Sequence, residues 1–122
     1  MIQPIVILFV VLAGIFAAVH QFAVEASLYW YFWWFDILMH FWGGLLIALG
    51  IFALATFRRL TFKPTLSVVF VVAVGFVVSW EAFEWYVGLF NPALHLTDAV
   101  MDMFLGIAGA LLGYLVLKRF KI

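Results

Sequence analysis

Four stretches of this chain, at about 4–22, 34–57, 64–89 and 96–117, are almost uninterrupted runs of apolar residues. Each has the roughly 20 residues that an α-helix needs to cross the hydrocarbon core of a bilayer. A lone apolar span in lipid must satisfy its backbone internally, which makes it helical, and the period-two alternation of a membrane barrel is not seen. The expectation is an all-α integral membrane protein with four transmembrane helices forming one domain over residues 1–122. Composition agrees, because 10% of residues are charged and 70% hydrophobic, against about a quarter charged in soluble domains. Cysteine is absent, which excludes disulfides and thiolate metal sites. The first run has Pro4 at a helix start. It lacks a positively charged leader and a small-x-small cleavage site, so it reads as a retained helix rather than a secretory signal.

The ionisable residues are sorted along the membrane normal. Arg58, Arg59 and Lys63 connect spans two and three, and Lys118, Arg119 and Lys121 follow span four. Both places lie on one side of a four-span protein, and the positive-inside rule makes that side cytoplasmic. N- and C-termini are then cytoplasmic, and the loops near 23–33 and 90–95 face outward. This topology accounts for all six basic residues, so nothing supports nucleic-acid binding. The run Tyr29, Trp30, Tyr31, Phe32, Trp33, Trp34 fits the aromatic belt of a membrane–water boundary. Gly43, Gly44 and Gly50 in span two, and Gly106, Gly109 and Gly113 in span four, read as sites of close helix approach.

All six acidic residues lie on the opposite side. Glu25 reads as a solvated loop charge. The other five are paired or accompanied at helical spacing: Asp36 with His40, Glu81 with Glu84, Asp98 with Asp102. Spacings of three and four place both members on one helix face. Three spans thus present stacked oxygen and nitrogen ligands at similar depth, and His20 at the end of span one offers a fourth contribution. His95 lies in the loop beside them and reads more weakly as a ligand.

No lysine or arginine is placed to neutralise these acids. An ionised group at mid-membrane costs at least about 2.5–3.5 kcal/mol and normally pairs inside the bundle. Three resolutions remain open: a bound cation, carboxyls sharing protons, or side chains solvated at headgroup level. The ligand set Asp36, His40, Glu81, Glu84, Asp98 and Asp102 suits a divalent ion such as Zn, Mn, Fe, Mg or Ca. Carboxylates and histidine on facing helices also occur in the two-metal sites of soluble four-helix bundles, although those use Glu-x-x-His.

The strings FDILMHFWGG, SWEAFEW and TDAVMDMFLGIAGALLG resemble signature segments of the YjdF-like bacterial inner-membrane proteins, and are more distantly similar to the VanZ-like proteins. The resemblance runs through Asp36, His40, Gly43, Glu81, Glu84, Trp85, Asp98, Asp102 and Met103 and covers spans two to four. It implies architecture, and a place in the bacterial inner membrane, rather than an activity. The VanZ-like pattern has Glu-x-x-Gln and an Asn after its last Asp, where this chain has Glu84 and Met103.

Three function classes follow. The leading one is metal-assisted hydrolysis or transfer on a lipid-like substrate taken from the outer leaflet, with Glu81 or Glu84 as catalytic base. The second is a divalent-cation transporter or channel subunit, as a homo-oligomer, with the carboxylates at its outer mouth. The third is a structural or accessory subunit in which the polar cluster fixes helix register. Membrane lipid is a partner under each.

Overall fold

Pro4 opens the first helix, where its missing N–H costs nothing, and α1 runs Pro4–Glu25. The chain then turns through Ser27, held in the left-handed region at φ 59°, into a four-residue helix, α2 (Leu28–Tyr31). Phe32, extended at φ −121°, separates α2 from α3 (Trp33–Leu54). Thr65 caps α4 (Leu66–Tyr86), its hydroxyl accepting the Val68 N–H at 3.3 Å. The last helix, α5, spans Pro92–Arg119 and ends on Lys118 and Arg119, whose charges complement the helix dipole. The computed structural model describes residues 3–57, 59–86 and 92–120, with side chains from residue 99 onward in the last stretch.

The described residues are all-helical apart from turns and connections, and four of the helices are long and apolar enough to cross a membrane. The protein is therefore an integral membrane protein of four spans. Helix ends differ from the apolar boundaries by about a turn. Hydropathy locates the lipid core, whereas helices stop where caps and turns permit: α1 continues to Glu25, α3 stops at Leu54, and Thr65 rather than Pro64 begins α4. Helix α5 already begins at Pro92, so His95 stands in its first turn rather than in a loop. Span three's expected end at residue 89 lies outside the described residues, as do Arg58 and Lys121.

The α3 helix is central. It packs most extensively along α5, carries α1 on another face, and touches α4, which itself lies against α5. Among the described residues α1 and α4 make no contact. One cluster built on Ile5, Leu46, Leu49, Phe52, Val69, Ala110 and Tyr114 joins the four spans. A smaller one at the acidic end joins Ala23 to Phe35 and Met39, with Tyr29 and Trp42 against it.

The α3–α5 contact is backbone on backbone. A Cβ at Gly44 would collide with the Gly106 carbonyl oxygen and approach the Ala110 nitrogen to 2.8 Å. A Cβ at Gly109 would likewise strike the Phe41 carbonyl. The two helices run parallel, since residue numbers rise together from Gly44 against Gly106 to Ala48 against Gly113 and Phe52 against Tyr114. Gly43, although in the same glycine pair, faces the Phe16 ring at an ordinary 3.7 Å.

Ser27 is the only non-glycine residue at positive φ among those described. A side chain in that region costs about 1–2 kcal/mol that glycine escapes, less the extra freedom glycine gains in the unfolded chain. Ser27→Gly is predicted to raise stability by about 0.5–1 kcal/mol. Thermal unfolding in detergent measures it; a lowered midpoint would contradict this account of the turn.

Candidate functional site

The helix seam that glycine tightens also places the candidate ligands. On α3, Asp36, His40, Gly44 and Ala48 recur every four residues, a spacing that keeps them on one face. On α5, Asp102, Gly106 and Ala110 do the same. Where Gly44 meets Gly106 and Ala110, the backbones touch. One turn toward the acidic end, larger polar side chains take their place: His40 from α3 and Asp102 from α5.

His40 Nε2 lies 3.1 Å from Asp36 Oδ1 and 3.2 Å from Asp102 Oδ2. One ligand atom from each of the three residues falls within 4.8 Å of the others. Side-chain exposure falls from 41% at Asp36 to 21% at His40 and 15% at Asp102, so the site opens on the Asp36 side, toward the start of α3. Asp36 in the first turn of α3 also gains from the helix dipole there.

The geometry is selective about what can satisfy it. A single imidazole nitrogen carries one proton or one lone pair, so two carboxylate oxygens compete for it. The N–H can be shared as a bifurcated bond, which leaves each oxygen half served. Ligands 2.0–2.2 Å from a divalent ion stand roughly 3–3.5 Å apart in tetrahedral or octahedral arrangement. The two nitrogen–oxygen separations fall in that window.

Glu81 stands half-buried on α4 and shares one electrostatic neighbourhood with Glu84, Asp102, His40 and Asp36. It is outside the group of three converging ligand atoms. Glu84 faces the same region, and its charge is felt at Tyr29. Asp98 and His95 lie outside the described side chains. The sequence offers six ligands together, whereas the described residues form a compact trio with Glu81 and Glu84 beside it.

His20 takes a different partner from the one its position suggests. Its Nδ1 is 2.7 Å from the Tyr29 hydroxyl, with the two rings edge to face at 5.7 Å. Tyr29 also packs edge-on against Phe35 at 5.0 Å, next to Asp36. Burial, then the charges of Asp36 and Glu84, push the Tyr29 phenol up to about 12, so it stays protonated at physiological pH. The aromatic run thus divides: Trp30, Tyr31 and Trp33 are exposed, while Tyr29 and Phe35 turn inward. Sequence reasoning passed over Tyr29 because it sits in that run. Its spacing of seven from Asp36 is the only signal that could have marked it. Glu25 ends α1 exposed, accepting a hydrogen bond from Gln21 Nε2 at 3.2 Å.

Fold and site together define a four-span integral membrane protein with an Asp–His–Asp cluster near one end of its helix bundle. The chain belongs to the family described as predicted membrane protein, DUF2238, whose profile matches residues 2–121. No curated protein and no solved structure matches it.

Proposed function

We propose that the protein holds a divalent cation on Asp36, His40 and Asp102 and uses it in hydrolysis or transfer on a lipid-like substrate. The observation that carries this reading is the placement of two carboxylate oxygens, from two helices, against one imidazole nitrogen at 3.1 and 3.2 Å. A cation between the three atoms gives every one of them a full partner, which one shared proton does not. Three protein ligands leave coordination positions for water and substrate.

An ion held by Asp36, His40 and Asp102 would supply Lewis-acid activation of water; Glu81, beside them, would take the proton of the attacking water and return it to the leaving oxygen as the bond to a carbonyl carbon or phosphorus breaks. Positive-inside reasoning puts the site at the extracytoplasmic face of the inner membrane. The likeness to YjdF-like and VanZ-like segments supports the architecture and leaves the reaction to this chemistry.

Conduction through a single copy is disfavoured. Immediately beneath His40 the α3 and α5 backbones are in contact at Gly44 and Gly109. From Phe41 to Phe57 and from Met103 to Leu117 there is no acidic, basic or histidine residue to relay an ion.

Elemental analysis of protein purified without chelator should find one equivalent of a divalent metal. After chelation, adding Zn²⁺ or Mn²⁺ at 100 times its dissociation constant should stabilise the fold by about 2.7 kcal/mol. Substoichiometric metal, with no thermal shift from either ion, would overturn the reading.

A further inference from the structure

Between α4 and α5, toward the end of the spans that carries the lysines and arginines, lies a cavity of about 280 Å³ lined by Leu66, Ser67, Phe70 and Leu111. Leu66, Ser67 and Phe70 are exposed, so the cavity is a groove open on the outside of the bundle. In a four-span protein that outside meets lipid. The Ser67 hydroxyl is the one polar side-chain group in the lining, and an ordered water needs about two to four polar partners. Hydrocarbon suits this groove and water does not.

The groove ends beneath positive charge. Val77 meets Gly106, where an added Cβ would lie 2.7 Å from Val77 Cγ1. From there to Phe70 and Leu111 in the groove, numbers fall along α4 and rise along α5, so these two helices are antiparallel. Leu66 lies eleven residues beyond the Val77–Gly106 contact and Lys118 twelve, about 16 and 18 Å at 1.5 Å per residue. Lys118 therefore stands level with the basic end of the groove. It is seven residues from Leu111, two turns along the same face of α5. Its ammonium is drawn back along the helix to 5.7 Å from the centre of the Tyr114 ring. Lys63, exposed, precedes Leu66 by three residues.

Neither lysine joins an ion pair among the described residues. No acidic side chain occurs from Ile37 to Trp80 or from Met103 to Ile122, so the charge at this end has no partner of opposite sign nearby in the sequence. Orienting the spans requires positive charge here but no groove beside it. Ammonium groups above an apolar groove complement an amphiphile with a negative head and a hydrocarbon tail. We infer that the α4–α5 groove binds an anionic phospholipid, its acyl chain against Leu66, Phe70 and Leu111 and its phosphate on Lys118 and Lys63. Positive-inside reasoning makes this a lipid of the cytoplasmic leaflet. The site lies at the opposite end of the spans from Asp36, His40 and Asp102 and needs no cation there.

The test is native mass spectrometry of the full chain, released from detergent micelles containing phosphatidylglycerol or phosphatidylcholine with the same acyl chains. Wild type should retain one phosphatidylglycerol about 25-fold more tightly than phosphatidylcholine, about fivefold for each lysine. Lys118→Gln should lose about fivefold in affinity for phosphatidylglycerol and nothing for phosphatidylcholine. Lys118→Arg, which keeps the charge, should bind as wild type does. Arg119→Gln removes the same charge from a position about 100° round the helix and should change little. Ser67→Phe fills the groove, keeps every charge and should weaken both lipids. Ser67, Lys118 and Arg119 are exposed, so these variants should fold, which thermal unfolding checks.

Equal losses in Lys118→Gln and Arg119→Gln, with Ser67→Phe unaffected, would assign the attraction to the basic end as a whole and overturn the site. Equal retention of the two lipids by wild type would overturn it as well. Both outcomes leave the cation reading where it stands.

Discussion

Asp102→Asn should abolish the stabilisation by added cation while leaving the metal-free protein as stable as wild type, or slightly more so. Asparagine keeps the size of Asp102 and one oxygen, so packing along the α3–α5 seam is retained. What it removes is the negative charge 3.2 Å from His40 Nε2. In the chelated protein, Asp36 and Asp102 compete for one imidazole nitrogen and repel each other, so loss of one charge relieves a conflict. On the proposed reading, that charge is a ligand in the loaded protein. Loss of an outer-shell partner lowers metal affinity by about 10–100-fold, and loss of a ligand should exceed the upper end of that range. Calorimetric titration with Zn²⁺ or Mn²⁺, paired with thermal unfolding with and without metal, reads both effects. A cluster that serves only helix register predicts another pattern: equal destabilisation of Asp102→Asn with and without metal, and no metal response in wild type.

Glu81→Gln separates binding from chemistry. Glu81 lies beside the trio rather than in it, so metal content should stay near one equivalent. Turnover of an ester or phosphoester amphiphile should fall by about 10²–10⁴-fold, the usual contribution of a general base. Loss of metal from Glu81→Gln would make Glu81 a ligand and remove it from the role assigned above.

The spans were legible in the sequence because lipid imposes a severe condition: every backbone polar group must be paired within its own helix. Apolar length alone then declares the helix, even where caps shift its ends. Asp36 with His40 was legible for a related reason, since a spacing of four fixes a shared face without knowledge of any other helix. The partner from α5 was not. Whether Asp98 or Asp102 meets His40 depends on register between two helices, and that register is set where Gly44 lies against Gly106 and Ala110. Such a contact is between residues far apart in the chain, and no local pattern encodes its height. Glu81 and Glu84 illustrate the same gap: spacing put them on one face of α4 but could not say how near that face comes to the trio. Tyr29 was hidden differently. In a run of seven aromatic residues, Tyr29 to Phe35, belt and site look alike, and only the turn at Ser27 decides which ring faces inward.

Gly44→Ala and Gly75→Ala are the same chemical change in two membrane helices, and they should have opposite effects. Within a helix, replacing glycine by alanine gains about 0.5–1 kcal/mol from reduced freedom of the unfolded chain. A methyl at Gly75 would meet nothing within 4 Å, so the gain should appear undiminished. At Gly44 the methyl meets the Gly106 carbonyl and lies 2.8 Å from the Ala110 nitrogen. Both are backbone atoms in the middle of a helix and cannot rotate away, so α3 and α5 must separate. Overpacking of this kind costs about 1–3 kcal/mol, occasionally more, which outweighs the helix gain. The consequence reaches the site, because His40 and Asp102 sit one turn from the clash on the same two helices. Even a slight separation lengthens the reach between His40 and Asp102, which on the proposed reading converge on one ion. Gly44→Ala should therefore unfold at lower temperature and bind cation more weakly, whereas Gly75→Ala should unfold higher with unchanged binding. Equal thermal shifts for the two variants would mean that the glycine seam does not set the distance between the helices, and the link from close packing to ligand convergence would fail with it.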